Sequence, residues 1–324
     1  MREKDKLTAK QQKTLQQKER FAQSESLEKA FHRVNRGIDL HGRFIHYTKL
    51  SRVVQMFESG RWWLTRADSD SLNDVQEARK YGNPELLGRM YQASFSYGSA
   101  ENAAMWGLYC PGDPFGVMIS IDGKAMRKWF AEIRAKKCDA RLEYPGTKTK
   151  PGKHVNLSMS EIDCADARDV IYAATKFPDT PYREKDRSDI LCWYGAITEK
   201  IEGLEQEIKG DKFTGWIKDY EWRQENESRI AVRVKGITGK LPNHLSIKIP
   251  GSVLKSMRLT LSPWLKDEYY DEAYNVLRAL TQKHHSEKIP ENLVSRSVIT
   301  GALESWRDRY QGSVKNPKSV KKNH

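Results

Sequence analysis

The chain has 324 residues, 56 Lys and Arg against 43 Asp and Glu, and a formal net charge of +13. That length buries a sizeable core, as one large domain or as one domain with helical additions. There is no apolar run long enough to cross a bilayer, and the opening Met1-Arg2-Glu3-Lys4-Asp5-Lys6 leads into no apolar signal-peptide core, so the expectation is a cytoplasmic protein without a membrane partner.

The positive charge is clustered. Residues 1 to 20 hold seven Lys/Arg against three acids, residues 307 to 324 hold six against one, and residues 124 to 153 hold ten against three. Outside these clusters the chain is neutral to slightly acidic. Such clusters point to a polyanion partner, because Lys and Arg that displace counterions give sequence-independent affinity for phosphates. Solubility alone is the other reading of the two tails. In the central cluster Trp129, Phe130 and Tyr144 are either stacking partners for bases or, for Trp129, a core face of an amphipathic helix. Cys110, Cys138, Cys164 and Cys192 are far apart, with no Cys-x-x-Cys and no His at ligand spacing. That argues against a zinc site and a disulfide scaffold, and no metal is expected. Cys192 has no visible His-based pairing that would make it a nucleophile.

In chain order, residues 1 to 36 read as a basic helical segment whose apolar residues are too sparse for a firm stripe. A strand is predicted at 43 to 48, then a helix over 50 to 59 stopped by Gly60, then a strand at 62 to 65. Asp68 to Asp74 is a polar turn, followed by a helix from Val75. Strands are predicted at 92 to 97 and 115 to 121, a helix over 123 to 137, and a loop or hairpin tip over 138 to 153 carrying Pro145-Gly146 and Pro151-Gly152. A strand at 169 to 172 leads to a helix near 188 to 209. Strands follow at the Glu-x-Glu segment and at 246 to 249, and a helix covers 267 to 284. The domain expectation is a main domain over 42 to 260, a helical region over 261 to 306 packed on it, and a basic tail over 307 to 324.

The most informative segment is Trp222-Arg223-Gln224-Glu225-Asn226-Glu227-Ser228-Arg229, which runs into Ile230-Ala231-Val232-Arg233-Val234. If a strand begins here, Glu225 and Glu227 leave the same face of the sheet. A solvated strand edge is the plain alternative. Upstream stand Phe44-Ile45-His46-Tyr47-Thr48 and the alternating Ala93-Ser94-Phe95-Ser96-Tyr97.

Those segments, with Leu50, Gly60, Trp63-Leu64, Leu72-Asn73-Asp74, Glu77, Met105-Trp106, Tyr109 and Gly116-Val117, resemble a bacterial domain family of unknown function, number 2971, over roughly residues 42 to 260. The order of a polar first strand, a Ser-x-Ser strand and a late Glu-x-Glu is similar to that of ADP-ribosyltransferases. The opening resembles DNA-modifying toxins of the DarT type, and the overall plan is similar to mRNA-modifying toxins of phage-defence systems. The resemblance implies an α+β fold: an ADP-ribosyltransferase-like split mixed β-sheet core with flanking helices and helical N- and C-terminal additions. It further implies NAD as a substrate, nucleic acid as the target with RNA favoured over DNA, and an antitoxin protein as a possible partner. The chain departs from arginine-class transferases in placing His46 at the first-strand position.

Cleavage of the nicotinamide–ribose bond develops positive charge on the ribose and calls for a carboxylate beside the sugar hydroxyls. Glu227 is the candidate for that role, and Glu225 for orienting or deprotonating the incoming nucleophile. His46, Tyr47 and Thr48 are candidate ribose or phosphate contacts, with a half-buried structural histidine as the alternative for His46. Ser94 and Ser96 are candidates to brace Glu227 or the cofactor, or are ordinary strand residues. Asn73 either reaches the cofactor or caps the next helix. Trp106 is either part of an aromatic floor for nicotinamide, with Trp62 and Trp63, or core. Arg229 is expected to pair with a neighbouring carboxylate. No glycine fingerprint supports a Rossmann site or a P-loop. The reading from a different class is a catalytically inactive nucleotide- or RNA-binding module. A nuclease ranks below both, since no carboxylate–His cluster has metal spacing.

Overall fold

The computed structural model describes residues 42–69, 83–98, 100–146, 152–174, 189–194, 197–202, 211, 214–283 and 293–299. The expected helices in residues 1 to 36 and from Val75, the tail over 307 to 324, and Asn73, Asp74 and Glu77 lie outside them.

In chain order the elements are β1 (Arg43–Lys49), α1 (Leu50–Ser59), β2 (Arg61–Arg66), α2 (Pro84–Leu87), β3 (Met90–Gly98), α3 (Ala103–Tyr109), β4 (Gly116–Asp122) and α4 (Gly123–Arg134). Then come β5 (Ala140–Tyr144), β6 (Lys153–Asn156), β7 (Ile162–Asp169), β8 (Ile171–Ala174), β9 (Asp189–Tyr194), β10 (Ile197–Glu202) and β11 (Ile217–Asp219). A 3-10 turn over Tyr220–Glu225 precedes β12 (Glu227–Val234), followed by β13 (His244–Lys248), α5 (Gly251–Ser256), β14 (Arg258–Leu261), α6 (Asp267–Gln282) and β15 (Val294–Arg296). The fold is α+β, with parallel and antiparallel strand pairs.

The chain divides into two compact units, one of Met1–Phe44, Arg61–Gly98 and Gly123–Pro250, the other of Ile45–Gly60, Ser99–Asp122 and Gly251–His324. In the first unit an antiparallel sheet runs β7-β12-β3-β2-β13-β5-β6. Its core is aromatic. The apolar residues of α4 recur at helical spacing, so Met126, Trp129, Phe130 and Ile133 are all buried on one side. Their partners include Trp62 and Phe95, whose rings are 4.9 Å apart, while Phe44 meets Phe130 at 5.2 Å. A second sheet of this unit runs β10-β9-β8-β11, with β11 parallel to β8.

In the second unit the strand order is β15-β14-β4-β1. Its core gathers Ile45, Tyr47, Met105, Trp106, Cys110 and Met118. The helix α1 ends where the sequence places the stop: Gly60 sits at φ 63°, a left-handed conformation that glycine adopts without a Cβ clash.

The helix expected near 188 to 209 changes. Residues 189–194 and 197–202 form an antiparallel strand pair instead of the first half of a helix. The reason is legible afterwards: Ile190-Leu191-Cys192-Trp193-Tyr194 is a short apolar and aromatic run, suited to a pleated strand and lacking any helical stripe. Of the loop and the hairpin tip expected over 138 to 153, the structure gives the hairpin: β5 pairs antiparallel with β6, with Tyr144 opposite Lys153.

Candidate active site: a buried acid pair with two cations

The acid pair is built by a break in the chain. Asn226 adopts φ 44° and ψ 56°, the left-handed region that Asn tolerates better than most residues. Its amide Nδ2 donates to the carbonyl of Tyr97 at 2.7 Å, and its own carbonyl accepts from the N–H of Tyr97 at 2.9 Å. The 3-10 turn therefore ends at Glu225 and the strand begins at Glu227. This corrects the expectation that both acids project from one strand, because a left-handed residue between them removes the period-two alternation. The carboxylates still converge. Lys218 Nζ on β11 donates to Glu225 Oε2 at 2.5 Å and to Glu227 Oε2 at 3.2 Å.

Arg229 supplies the second cation. It lies two residues along β12 from Glu227, on the same face, and its Nε donates to Glu227 Oε1 at 2.7 Å. Its Nη1 donates to the carbonyl of Gly215 at 2.5 Å and to Gln92 Oε1 at 3.3 Å. Gly215 itself sits at φ 74°. The sequence expectation for Arg229 holds.

The main chain of Glu227 is tied at both ends. Its N–H donates to Tyr172 Oη at 2.8 Å, and its carbonyl accepts from Val170 at 2.9 Å. Across the ladder, Ser96 stands opposite Glu227 and Ser94 opposite Arg229. The Ser94 side chain contributes a hydrogen bond that helps lower the Glu227 carboxyl. On the other side, Ser228 Oγ bonds Asp169 Oδ1.

Glu225, Glu227, Lys218 and Arg229 have relative exposures of only 2%, 3%, 4% and 1%. Two acids and two cations make the group neutral as a whole, the condition under which buried charge is tolerated. Burial alone pushes the Glu227 carboxyl up. The charges of Arg229 and Lys218, with hydrogen bonds from Arg229 and Ser94, outweigh it and hold the group at about 2. It is ionised at neutral pH. Burial, then the Glu227 charge, raises the Tyr172 phenol well above its ordinary range, so Tyr172 stays protonated. Trp222 covers Lys218, with the ammonium 4.9 Å from the ring centre.

The sequence pattern singles out neither Lys218 nor Tyr172. The signal for Lys218 is a lone cation in the run Thr214-Gly215-Trp216-Ile217-Lys218, where a charge has to find a buried partner. Nothing in the local pattern distinguishes Tyr172 from an ordinary strand tyrosine.

The remaining candidates fall in the second unit. His46 and Thr48 are half-buried on β1. Tyr47 is buried, and its hydroxyl accepts from the N–H of Asn102 at 3.0 Å. Burial, eased by that bond and reinforced by the Glu101 and Cys110 charges, pushes its phenol up to about 12. Trp106 is fully buried, edge-on to Tyr47 at 4.9 Å, with its Nε1 donating to Glu101 Oε2 at 3.1 Å. Packing, not a face open to nicotinamide, is the place the structure gives Trp106.

The basic segment divides in the same way. Trp129 is 2% exposed and belongs to the core, which removes it as a stacking platform. Lys136, at φ 55°, donates from Nζ to the carbonyls of Ile162 at 3.2 Å and Asp163 at 2.9 Å, and Arg134 donates to Ala167 at 2.6 Å. These two cations fasten the end of α4 to β7. Lys124, Lys128, Lys137 and Lys153 are exposed, whereas Lys148 and Lys150 lie outside the described residues.

Among the described residues, no group of three or more His, Cys, Asp or Glu is placed to hold a metal ion, and no helix is long and apolar enough to cross a membrane.

No family model and no curated protein matches the chain. The resemblance to family 2971 therefore rests on its ordered residues alone. Among solved structures, DarT of Thermus sp. 2.9 in complex with NAD+ is similar over 78% of this chain and 94% of that chain, with 9% identity and a TM-score of 0.29. A likeness of that size assigns no role to any residue.

Proposed function

We propose that the protein is an NAD-dependent ADP-ribosyltransferase that modifies nucleic acid, RNA before DNA, as a toxin or an anti-phage defence effector. The observation that carries this reading is the ionised carboxylate of Glu227, fixed at the first residue of β12 with Glu225 beside it and Ser94 and Ser96 across the ladder. In the proposed reaction the bond from ribose C1′ to the nicotinamide nitrogen breaks, and its electron pair leaves with nicotinamide. A bond forms from C1′ to the acceptor atom, whose proton passes to Glu225. Glu227 opposes the positive charge that develops on the ribose, a contribution that grows toward the transition state. The sequence resemblance alone puts forward His46 and Thr48 as ribose or phosphate contacts. The proposed transferase region is 42 to 260, with the basic terminal segments and the exposed lysines of 124 to 153 drawing in the polyanion. A cytoplasmic setting and an antitoxin partner belong to the same proposal.

A second reading has its own observation. At 3% exposure, with its oxygens engaged by Lys218 and Arg229, Glu227 also suits the rigid frame of a nucleotide- or RNA-binding module without chemistry. Incubation with NAD and, separately, RNA, DNA and protein extract separates the two. Release of nicotinamide with transfer of label to nucleic acid supports the transferase. RNA or nucleotide binding with NAD left intact supports the module.

A further inference from the structure

We propose that Lys218 is the positioning residue of this site, acting through Glu225: its ammonium holds the Glu225 carboxylate beside Glu227. The inference rests on the assignment of Glu227 and Glu225 as the reacting pair and adds the group that makes them a pair.

The backbone does not align these acids. Glu225 closes a 3-10 turn and Glu227 opens a strand, with left-handed Asn226 between them. They share the Lys218 ammonium, at 2.5 Å to Glu225 and 3.2 Å to Glu227. The shorter bond runs to the residue that the strand does not fix. Glu227 has further anchors in Arg229, Tyr172 and Ser94 that do not depend on Lys218.

The element that carries the lysine is suited to the task. The strand β11 pairs in parallel with β8, Lys218 standing level with Tyr172, the residue whose hydroxyl receives the Glu227 N–H. One strand pair thus delivers both a backbone anchor for Glu227 and the cation for Glu225. Trp222, from the same 3-10 turn as Glu225, lies over the ammonium and shields it from solvent. Two carboxylates this close repel each other unless a cation lies between them. Loss of Lys218 therefore removes the cation that draws Glu225 toward Glu227, while Glu227 keeps its pairing with Arg229.

The test is a double-variant cycle of Lys218→Met, Glu225→Gln and the two combined, read by nicotinamide release and by urea unfolding. Lys218→Met is expected to lower kcat about tenfold or more while KM for NAD stays within about twofold, since a positioning loss appears in the transition state and not in ground-state binding. Because Lys218 acts through Glu225, the combined variant should turn over as slowly as Glu225→Gln alone. It should also unfold at higher urea than Lys218→Met, because it buries no unmatched carboxylate. Equal and independent losses in kcat, or strictly additive losses in stability, overturn the proposal. If Lys218→Met does not fold, the combined variant decides alone: failure to fold where Glu225→Gln folds overturns it, and folding with the kcat of Glu225→Gln supports it. If the parent protein releases no nicotinamide with any acceptor, the transferase reading fails. The Lys218–Glu225 coupling is then judged by stability alone, with additivity overturning it.

Discussion

Lys218 and Glu225 meet at 2.5 Å in the interior of the first unit, although a turn separates them and neither lies on the strand that carries Glu227. This ion pair joins β11 to the end of the turn, and the bonds from Lys218 and Arg229 to Glu227 extend it to the start of β12 as a neutral group of four buried charges. Removing any one member leaves an unmatched charge, so catalytic and structural effects at this site are expected together, and each substitution has to be read by both.

Glu227→Gln keeps the shape of the side chain and one acceptor oxygen but loses the charge. Nicotinamide release should fall on the order of a hundredfold or more, as for other lost electrostatic partners of a developing charge. The same change leaves one excess buried cation, and a loss of roughly 3 to 5 kcal/mol in stability is expected from breaking a buried pair. Rates are therefore to be measured well below the unfolding midpoint of the variant. Release at the parental rate refutes the catalytic assignment.

The carboxyl of Glu227 is lowered from 4.5 to about 2 by its surroundings. A group with a depressed value in the folded state stabilises the fold fully above its unfolded value and loses that contribution as pH falls through the folded value. The loss should therefore fall between about pH 4.5 and pH 2, with a size on the order of 3 kcal/mol. Urea midpoints measured across that window should show a steep acid limb in the parent and a shallower one in Glu227→Gln. Parallel limbs would locate the acid sensitivity elsewhere.

Ser94→Ala removes a hydrogen bond to the Glu227 carboxylate, and His46→Ala removes the polar group proposed to meet ribose or phosphate. Both are expected to weaken NAD binding in calorimetry, by about 1.5 to 3 kcal/mol as for hydrogen bonds to charged groups. Unchanged affinity in both variants would make these residues structural.

Gly215→Ala tests the frame behind Arg229. At φ 74° an added Cβ forces a left-handed alanine and approaches Met90 Cε to 2.4 Å. The methionine end can move, so backbone strain of about 1 to 2 kcal/mol is the expected loss. The Gly215 carbonyl that receives Arg229 should shift with it. A fall in thermal midpoint, with a further loss of activity beyond that of the fold, is the outcome to look for.

Replacing Lys124, Lys128, Lys137 and Lys153 by Gln should flatten the salt dependence of nucleic-acid binding by up to about 0.7 to 0.9 units for each phosphate that is no longer neutralised. NAD affinity should be unchanged. Lys136→Gln should instead lower stability, since its ammonium bonds the carbonyls of Ile162 and Asp163. Trp129→Ala should unfold the protein more readily, by about 3 to 5 kcal/mol for a large core aromatic. An unchanged slope for the four-lysine variant on both RNA and DNA would leave the terminal segments as the surface for the target.

Local pattern determined much of this protein. The alternation around Ser94 and Ser96, the run from Ile230 to Val234, the apolar stripe of α4 and the stop at Gly60 all follow from spacing and backbone preference, which act over a few residues. That Glu225 and Glu227 lie near each other also follows from their closeness in sequence, though not by the expected alternation, which left-handed Asn226 breaks. What only tertiary structure decided is the company those acids keep. Lys218 and Tyr172 enter from strands whose pairing depends on long-range register, and no short-range rule brings them to Glu227. Asn226 reads as an ordinary polar residue until the carbonyl and N–H of Tyr97 hold it in a left-handed turn. Trp129 and Lys136 sit in one basic segment, yet core packing claims the first and the carbonyls at the start of β7 the second. The physical reason is common to all of them: periodicity is a property of neighbouring residues, whereas pairing a buried charge depends on which distant segments the fold lays side by side.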